Sequence, residues 1–546
     1  MVETLAFAVF LICACFGPLL AWGYFGAPAT FPASSLALAV AVLWLAGAGA
    51  RSRWKSGLLF VFVTIMLVLN SALTESYYLS GTGFAESFFY HLRVDLAFAG
   101  LAEHFGLIAL ALLLLAGALV AFGFATRRPG RPAVLPMIAT AAALCLWSPL
   151  LGIGAYLGDA VAYARPGGIA AWALEPFGHP ALVQAPSPES VRSAGAVRLG
   201  RPMNLVLLYG ESLEQSYLDN PGFSALTANL RAVRDRSLHF SDVSPGFSSD
   251  WTIAGLVATQ CGYPLIDDPL VNAVLSRPLT GARPALPNAV CLGDVLAANG
   301  YHVVYVGGAD TRFAGKRDFL RRHGFHEVLG TPEIAAYLGR HPEVDPDPAL
   351  GPWGYHDQTT LKVAMHRFQR LSADGRPFAL IALTLDTHHP NGLPSPDCRV
   401  DGEDSMRNAI RCTAEGFAAF IAAIRAGPYS AGTLIGVLSD HLAHRTSQTP
   451  RLPPRGERRL TFFVNAPHLA AGRITNSGTV FDVAATIVDL LDGGAHVLGA
   501  GQSLLRGPGL LHQFGVNTRQ KQYFLSPAMS TRLRELDRDP MRQGVR

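Results

Sequence analysis

Five long apolar segments lie within residues 4–151, and they constrain the fold of this chain more than any other feature. An α-helix needs roughly 20 residues to cross a bilayer, and each segment is close to that length. The predicted spans are 4–25, 34–50, 57–73, 104–125 and 133–151. An alternative for the first is a cleaved signal peptide, but it lacks a basic N-terminal region and a clear cleavage site. We therefore expect a transmembrane region of about five helices over residues 1–152.

The basic loops between these segments predict how the chain is oriented. Arg51, Arg53 and Lys55 follow the second segment, and an arginine-rich loop at 126–131 follows the fourth. Short basic loops remain in the cytoplasm. We therefore expect a cytoplasmic N-terminus, with everything after the fifth segment on the opposite side of the membrane.

The cysteines agree with this orientation. Four of them fall in the part placed outside the cytoplasm: Cys261, Cys291, Cys398 and Cys412. An even set fits two disulfides in an oxidising compartment. Of the three possible pairings we favour Cys261–Cys291 and Cys398–Cys412, because each bridge would close one surface loop. The alternative is four unpaired thiols in the core.

The residues after the membrane region have a different pattern, and charged residues are common among them. Residues 153–200 are rich in Gly, Pro and Ala and predict a tether that leads away from the bilayer. Over 201–505, short apolar runs alternate with segments of helical spacing, which predicts an α/β domain with a largely parallel sheet. The polar tail at 506–546 has no predicted role. The formal net charge of only +4, without a basic stripe, argues against a nucleic-acid partner.

The five predicted strands are 204–210, 302–308, 378–386, 433–440 and 459–465. Polar residues follow the first four of them. In an open α/β sheet, ligands bind beyond the carboxyl ends of the strands. We therefore expect one site at this edge. The residues that follow the strands include Glu211, Ser212, Asp310, Arg312, Lys316, His388, His389, Asp440 and His441.

Three of these side chains are typical ligands of a divalent cation. Glu211, Asp440 and His441 offer hard and borderline donors that suit Mn²⁺, Mg²⁺ or Zn²⁺. Three protein ligands leave an open position, as in catalytic sites. Each residue alone has a plainer interpretation. Glu211 could be a carboxylate that stabilises the N-terminal end of a helix dipole, and Asp440–His441 could be an ion pair at the end of a strand. Their joint occurrence favours the metal site.

A hydroxyl nucleophile for this site is predicted in the stretch SSDWTIAG. Ser249 or Asp250 can cap a helix whose first turn holds Trp251 and Thr252. A hydroxyl there lies at the positive end of the helix dipole, where free N–H groups bind phosphate. Metal coordination would also lower the pKa of the Thr252 hydroxyl and make it nucleophilic. Taken alone, Thr252 could be an ordinary first-turn residue.

At these residues the chain resembles a known family. The motifs LLYGESLE, PGFSSDWTIAGLVATQCGYPL, LTLDTHHP and SDHLAH are similar to those of the membrane-bound phosphoglycerol transferase I family of Gram-negative bacteria. That family is grouped with lipoteichoic acid synthases and phosphoethanolamine transferases in the sulfatase-like branch of the alkaline phosphatase superfamily. The resemblance rests on specific motifs over about 201–505. In the preceding region it is only general, in that both have several apolar spans.

The resemblance implies a role for each site residue. One metal ion, manganese first and zinc or magnesium otherwise, would be bound by Glu211, Thr252, Asp440 and His441. The family's histidine in an H-x-P motif falls on His388, which would be catalytic together with Thr252. The family's basic phosphate-binding residue falls on Lys316. Arg312 is its rival, and His389 is a further substrate-binding candidate.

Two departures from family patterns are informative. A true sulfatase needs Cys or Ser followed at fixed spacing by Pro and Arg, whereas Thr252 is followed by Ile253-Ala254-Gly255-Leu256. Sulfate-ester chemistry is therefore not expected. Lys316 stands where lipoteichoic acid synthases have arginine, so a point charge replaces a bidentate fork.

The resemblance implies a bacterial inner-membrane enzyme with a periplasmic catalytic domain. It would transfer phosphoglycerol from phosphatidylglycerol to a periplasmic glucan through a phosphothreonine intermediate. One alternative is phosphoethanolamine transfer to lipid A or another envelope acceptor. An alternative of another class is a non-catalytic membrane sensor of lipid or glucan, whose signature would be a broken Glu–Thr–Asp–His set; here the set is intact.

Overall fold

The structure is a computed structural model, and it describes sixteen stretches of the chain. They are 2–24, 27–49, 53–80, 83–84, 105–125, 134–154, 194–200, 203–266, 285–400, 402, 404–491, 494, 497–514, 520, 523–524 and 526–537. The described residues fall into two compact units, one before residue 176 and the other after it. Most of the predicted tether at 153–200 lies outside the described residues, and the predicted domain boundaries stay predictions.

Apolar helices make up the described part of the first unit. They are Val2–Tyr24, Thr30–Gly49, Arg53–Ser80, Phe105–Ala125, Val134–Cys145 and Ser148–Gly154. Each of the first four predicted spans therefore coincides with one helix, and the fifth with a bent pair. Large apolar side chains lie both inside the unit, such as Phe10 and Phe122, and on its surface, such as Leu113 and Ile138. Apolar residues on every side of a helix are typical of membrane spans.

Length and composition support fewer spans than five among the described residues. Leu5–Tyr24 and Gly57–Tyr78 are long and apolar enough to cross a membrane. Leu135–Cys145 and Ser148–Gly154 meet at a bend of 50° and would make a third span if the pair counts as one. The apolar parts of the other two helices are shorter, so the count of five stays a prediction.

The second unit is built on an eight-stranded sheet with the order β11-β2-β10-β9-β1-β8-β4-β5. All fourteen described strands are β1 Asn204–Gly210, β2 Leu238–Phe240, β3 Val243–Ser244, β4 His302–Gly307, β5 Glu327–Leu329, β6 Leu350–Gly351, β7 Gly354–Tyr355, β8 Phe378–Leu383, β9 Thr433–Ser439, β10 Phe462–Asn465, β11 Gly472–Ile474, β12 Gly478–Thr479, β13 Val497–Leu498 and β14 Gly501–Gln502. The five strands from β9 to β5 in this order are parallel, and β10 runs antiparallel to β9.

Helices cover both faces of this sheet. The described ones are Ser216–Asp219, Ala228–Arg234, Thr252–Cys261, Leu292–Ala298, Lys316–Arg322, Thr331–Arg340, Asp357–Ala373, Ser405–Ala426, Val483–Leu490 and Pro527–Leu536. On one face, Val206 and Leu380 of the sheet join the same apolar cluster as Phe368 and Phe417 of two long helices. On the other, the Tyr209 hydroxyl is 2.9 Å from Thr259 Oγ1. Burial on both faces explains why the central strands are continuously apolar.

The predicted fold is confirmed, with corrections at the sheet margins. The first four predicted strands form β1, β4, β8 and β9, and the fifth is β10, which is antiparallel. Both favoured disulfides are present, Cys261–Cys291 and Cys398–Cys412. The tail also packs on this unit, because the Phe524 ring lies 5.2 Å from that of Phe481.

Candidate active site

Two neighbouring strands place the acidic residues side by side. Glu211 follows β1 and Asp440 follows β9, and the parallel register pairs Gly210 with Ser439 immediately before them. Hydroxyls from the loop after β8 fix the backbone of Glu211. Thr384 Oγ1 accepts from its N–H at 3.0 Å, and Thr387 Oγ1 donates to its carbonyl. The register of the sheet thus brings together carboxylates that are 229 positions apart.

The side chains of Glu211, Asp440 and His441 converge on one buried point. His441 Nε2 lies 3.3 Å from Glu211 Oε1 and 3.4 Å from Asp440 Oδ2, and one ligand atom from each residue lies within 4.8 Å of the others. The other ring nitrogen, Nδ1, is 2.8 Å from the Leu442 carbonyl, to which it can only donate. This contact leaves Nε2 facing the two carboxylates, as is typical of a metal-binding histidine.

The donor set fits a divalent cation. Asp440 Oδ1 accepts from the backbone N–H groups of Ser212 and His441 at 2.9 and 2.8 Å, while Oδ2 is buried and accepts no hydrogen bond from the described residues. Burial and the charge of Glu211 raise the pKa of Asp440 to about 7 without a cation. Burial would lower the pKa of His441, but the two carboxylates outweigh it and raise that pKa to about 10. A cation among these groups would relieve the repulsion between the carboxylates.

Thr252 reaches this cluster from the first turn of the helix Thr252–Cys261. Its hydroxyl donates to Glu211 Oε2 at 3.1 Å. Gly255, one turn later, permits the approach, because a Cβ there would lie 2.1 Å from the Asp440 carbonyl oxygen. The predicted capping by Ser249 or Asp250 is wrong. The N-cap position belongs to Trp251 without a side-chain cap, and Ser249 Oγ bonds the backbone of Gly246 instead.

The two basic candidates are placed differently. Lys316 begins the helix Lys316–Arg322 and is only 3 % exposed. Burial lowers the pKa of its ammonium group, and the charges of Glu211 and Asp440 act against that shift. The Arg312 side chain is 73 % exposed and is held by Asp310. Lys316 is therefore a buried cation on which both carboxylates act, whereas Arg312 is on the surface, and the substrate roles of both stay predictions.

A row of rings extends from His441, one of the candidate metal ligands, towards the surface. The centroids of His441 and His444 are 5.1 Å apart, those of His444 and His389 are 4.6 Å apart, and His389 stacks on His388 at 4.4 Å. The ring of Trp353 follows at 4.6 Å from His388. His388 Nδ1 is 2.7 Å from the His389 carbonyl, which leaves Nε2 as the atom able to accept a proton.

Several residues that hold the site had no role assigned from the sequence. Ser212 Oγ donates to Glu211 Oε1 at 2.8 Å. A buried ion pair between Arg458 and Glu214 holds the loop after His441, because Glu214 also accepts from the Ala443 N–H at 3.1 Å. The acid of the pair stands in the GESLE motif and could have been noticed there, but its partner is 244 positions away.

Comparison with known families agrees with this geometry. The profile of the sulfatase family matches residues 203–493, and that of the N-terminal domain of phosphoglycerol transferase I matches residues 30–161. Phosphoglycerol transferase I from Citrobacter koseri is 32 % identical over 499 residues, which cover 90 % of this chain and 62 % of that protein. The Escherichia coli enzyme of the same name is 37 % identical over 332 residues, 60 % of this chain and 42 % of that one. This chain therefore spans less than two thirds of the length of these relatives. The family matches confirm the resemblance inferred from its motifs.

A solved structure shows the same fold at lower similarity. It is the integral membrane protein lipooligosaccharide phosphoethanolamine transferase A from Neisseria meningitidis, with a TM-score of 0.52 and 15 % identity. The match covers 91 % of this chain and 98 % of that one. It supports the order of apolar N-terminal helices followed by a sulfatase-like domain.

Proposed function

The chain belongs to the sulfatase family, and from that premise we propose that it transfers a phosphoglycerol group from phosphatidylglycerol to a periplasmic glucan. One observation carries the proposal: a threonine hydroxyl lies 3.1 Å from a glutamate within a buried Glu–Asp–His cluster. The match to the N-terminal domain of phosphoglycerol transferase I favours phosphoglycerol over other phosphoryl groups.

Glu211, Thr252, Asp440 and His441 are the proposed ligands of one divalent cation. Two carboxylates, an imidazole nitrogen and a hydroxyl suit Mn²⁺ or Zn²⁺ better than Mg²⁺, which prefers oxygen ligands alone. We favour Mn²⁺. When bound, the cation supplies Lewis acidity that lowers the pKa of the Thr252 hydroxyl and offsets charge on the phosphate.

In the first half-reaction, Thr252 Oγ1, after its proton has passed to solvent, attacks the phosphorus of phosphatidylglycerol. A bond forms between Thr252 Oγ1 and phosphorus while the bond from phosphorus to the diacylglycerol oxygen breaks. His388 Nε2 gives its proton to that leaving oxygen, and Lys316 balances negative charge on the phosphoryl oxygens. The products are diacylglycerol and a phosphoglyceryl–threonine enzyme.

In the second half-reaction, an acceptor sugar hydroxyl attacks the same phosphorus. His388 Nε2, now neutral, takes the proton of that hydroxyl, and the bond between Thr252 Oγ1 and phosphorus breaks, which returns Thr252 Oγ1 in the deprotonated form that began the cycle. Two steps at one threonine allow a lipid donor and a water-soluble acceptor to use the site in turn. His389 and the more distant Arg312 are further candidates for substrate contacts.

The proposed location is the bacterial inner membrane, with the N-terminus in the cytoplasm and the catalytic domain in the periplasm. Two disulfides in the catalytic unit support an oxidising compartment. The apolar N-terminal helices would keep the site near lipid headgroups.

Labelled donors test the proposal directly. The purified full-length protein is given phosphatidylglycerol or phosphatidylethanolamine, each labelled in the headgroup, together with a glucan acceptor. We expect label to move only from phosphatidylglycerol, with no transfer by Thr252→Ala and partial transfer by Thr252→Ser, which keeps a hydroxyl. Transfer from phosphatidylethanolamine would overturn the choice of donor, and full activity of Thr252→Ala would exclude the covalent route.

A further inference from the structure

A second group of candidate metal ligands lies in the catalytic unit, and it shares no residue with the active site. His341 directly follows the helix Thr331–Arg340, and Glu343 comes two positions later. His366 joins them from the helix Asp357–Ala373. Each of the three residues offers one ligand atom, and these atoms all lie within 4.8 Å of one another.

The spacing within this group suits a metal ion. His341 Nδ1 lies 3.2 Å from Glu343 Oε1. Two ligands of one zinc ion lie roughly 3.3 Å apart when their bonds of about 2.0–2.1 Å meet at tetrahedral angles. The rings of His341 and His366 have centroids 5.1 Å apart and meet edge to face rather than in a stack. The Glu343 side chain is 65 % exposed, so it can move towards an ion without disturbing the core.

Buried hydrogen bonds hold the two elements that carry these ligands. The hydroxyl of Tyr337, which is only 5 % exposed, is 2.8 Å from His366 Nδ1 and engages only that one of the two ring nitrogens. Such a contact fixes the orientation of a ring and is typical of metal-binding histidines. Asp345, two positions after Glu343, is buried and accepts from Thr359 Oγ1 at 2.6 Å. The chain around the group is therefore already held in place.

Space for an ion and its water molecules is open beside the group. Glu343 and His366 both line an open cavity of about 770 Å³. The cavity is also lined by residues of the helices Asp357–Ala373 and Ser405–Ala426. Three protein ligands leave a further coordination position, which water can fill from this side.

We propose that His341, Glu343 and His366 bind a Zn²⁺ ion that stabilises the fold. Two imidazoles and one carboxylate are a donor set that suits Zn²⁺. Mn²⁺ stands lowest in the affinity order of the divalent first-row metals and should bind this set far less tightly. The ion would link the end of the helix Thr331–Arg340 to the helix Asp357–Ala373. The site is independent of the proposed function, because none of its ligands takes part in the transfer.

Zinc content measured on the full-length protein tests the proposal. Each variant is equilibrated with Zn²⁺, and its bound zinc is measured by mass spectrometry. His366→Ala should hold one zinc ion fewer than wild type, whereas His441→Ala, which disrupts the active site, should keep the ion that His366→Ala loses. Glu343→Gln changes an exposed side chain, so it should fold, and it should weaken zinc binding by at least the 10–100-fold that loss of an outer hydrogen-bond partner costs. With Mn²⁺ instead of Zn²⁺, wild type and His366→Ala should bind equally.

Glu415→Gln is the matched control, because Glu415 is exposed and lines the same cavity but does not belong to the ligand group. It should bind as much zinc as wild type. Zn²⁺ should also raise the melting temperature of His441→Ala but not that of the double variant His441→Ala/His366→Ala, because an ion that binds only the folded state stabilises it. Equal zinc contents in wild type, Glu343→Gln and His366→Ala would overturn the proposal and leave His341 and Glu343 as a surface ion pair.

Discussion

Replacing Gly255 with alanine adds one methyl group where the helix Thr252–Cys261 meets the loop that holds Asp440 and His441. The new Cβ would lie 2.1 Å from the Asp440 carbonyl oxygen and 2.8 Å from its carbon. Real Cβ atoms essentially never come closer than 3.0 Å to another heavy atom, so the helix and the loop must move apart by about 1 Å. Both contact atoms belong to the backbone, which cannot rotate away as a flexible side chain could.

That movement should disable the site more than it destabilises the fold. Overpacking of this kind costs about 1–3 kcal/mol of folding free energy. A shift of 1 Å in a reacting group, here Thr252 Oγ1 relative to Glu211 and Asp440, can reduce the rate about 100-fold. We therefore expect Gly255→Ala to lose about 100-fold in phosphoglycerol transfer, with a melting temperature only a few degrees lower.

Transfer assays and thermal melts on purified full-length protein would measure both effects. The control is Gly339→Ala, in the helix Thr331–Arg340, where an added Cβ has nothing within 4 Å. It should keep full activity and gain about 0.5–1 kcal/mol, because alanine favours a helix more than glycine does. A folded Gly255→Ala protein with activity within twofold of wild type would refute the argument that this contact places Thr252.

Three further predictions concern the supporting structure. Glu214→Gln leaves the buried Arg458 guanidinium without its counter-charge and should lower stability by about 3–5 kcal/mol, measurable by thermal or urea unfolding; an unchanged midpoint would contradict it. Burial and a nearby carboxylate raise the pKa of Asp357 from 3.8 to about 8, so the folded state holds this proton to higher pH than the unfolded chain. Stability should therefore fall as pH rises between those values, and Asp357→Asn should flatten that part of the melting profile. Replacing Cys398 and Cys412 by serine opens a loop with a sequence separation of 14 and should cost about 2–4 kcal/mol, whereas a melt identical to wild type would show that this bridge adds nothing.

The central strands and the convergence of Glu211, Asp440 and His441 could be predicted from sequence because they follow from one rule. Buried parallel strands are continuously apolar, so β1 and β9 are visible as runs, and polar residues directly after them must meet at one edge. Glu211, Asp440 and His441 lie together for that reason. The short strands β2, β5 and β11 were missed, because three residues carry no recognisable period.

The missed parts of the site depend on partners that are distant in sequence. Thr384 and Thr387 bind the Glu211 backbone across 173 and 176 positions, and no local pattern marks a threonine for such a contact. Serine is a typical helix-capping residue, yet the hydroxyl of Ser249 bonds the backbone of Gly246 instead of a helix end. The antiparallel direction of β10 likewise depends on how its connection to β9 runs, which strand composition does not encode.

Anomalous diffraction from crystals of the protein grown with Mn²⁺ is the most direct test of the four-residue site. We predict one ion within about 2.0–2.3 Å of side-chain atoms of Glu211, Thr252, Asp440 and His441. The same ion should disappear in His441→Ala. An ion bound elsewhere, or a Thr252 hydroxyl more than about 4 Å from an ion held by the other three residues, would contradict the account, since the coordination that activates the nucleophile would be missing.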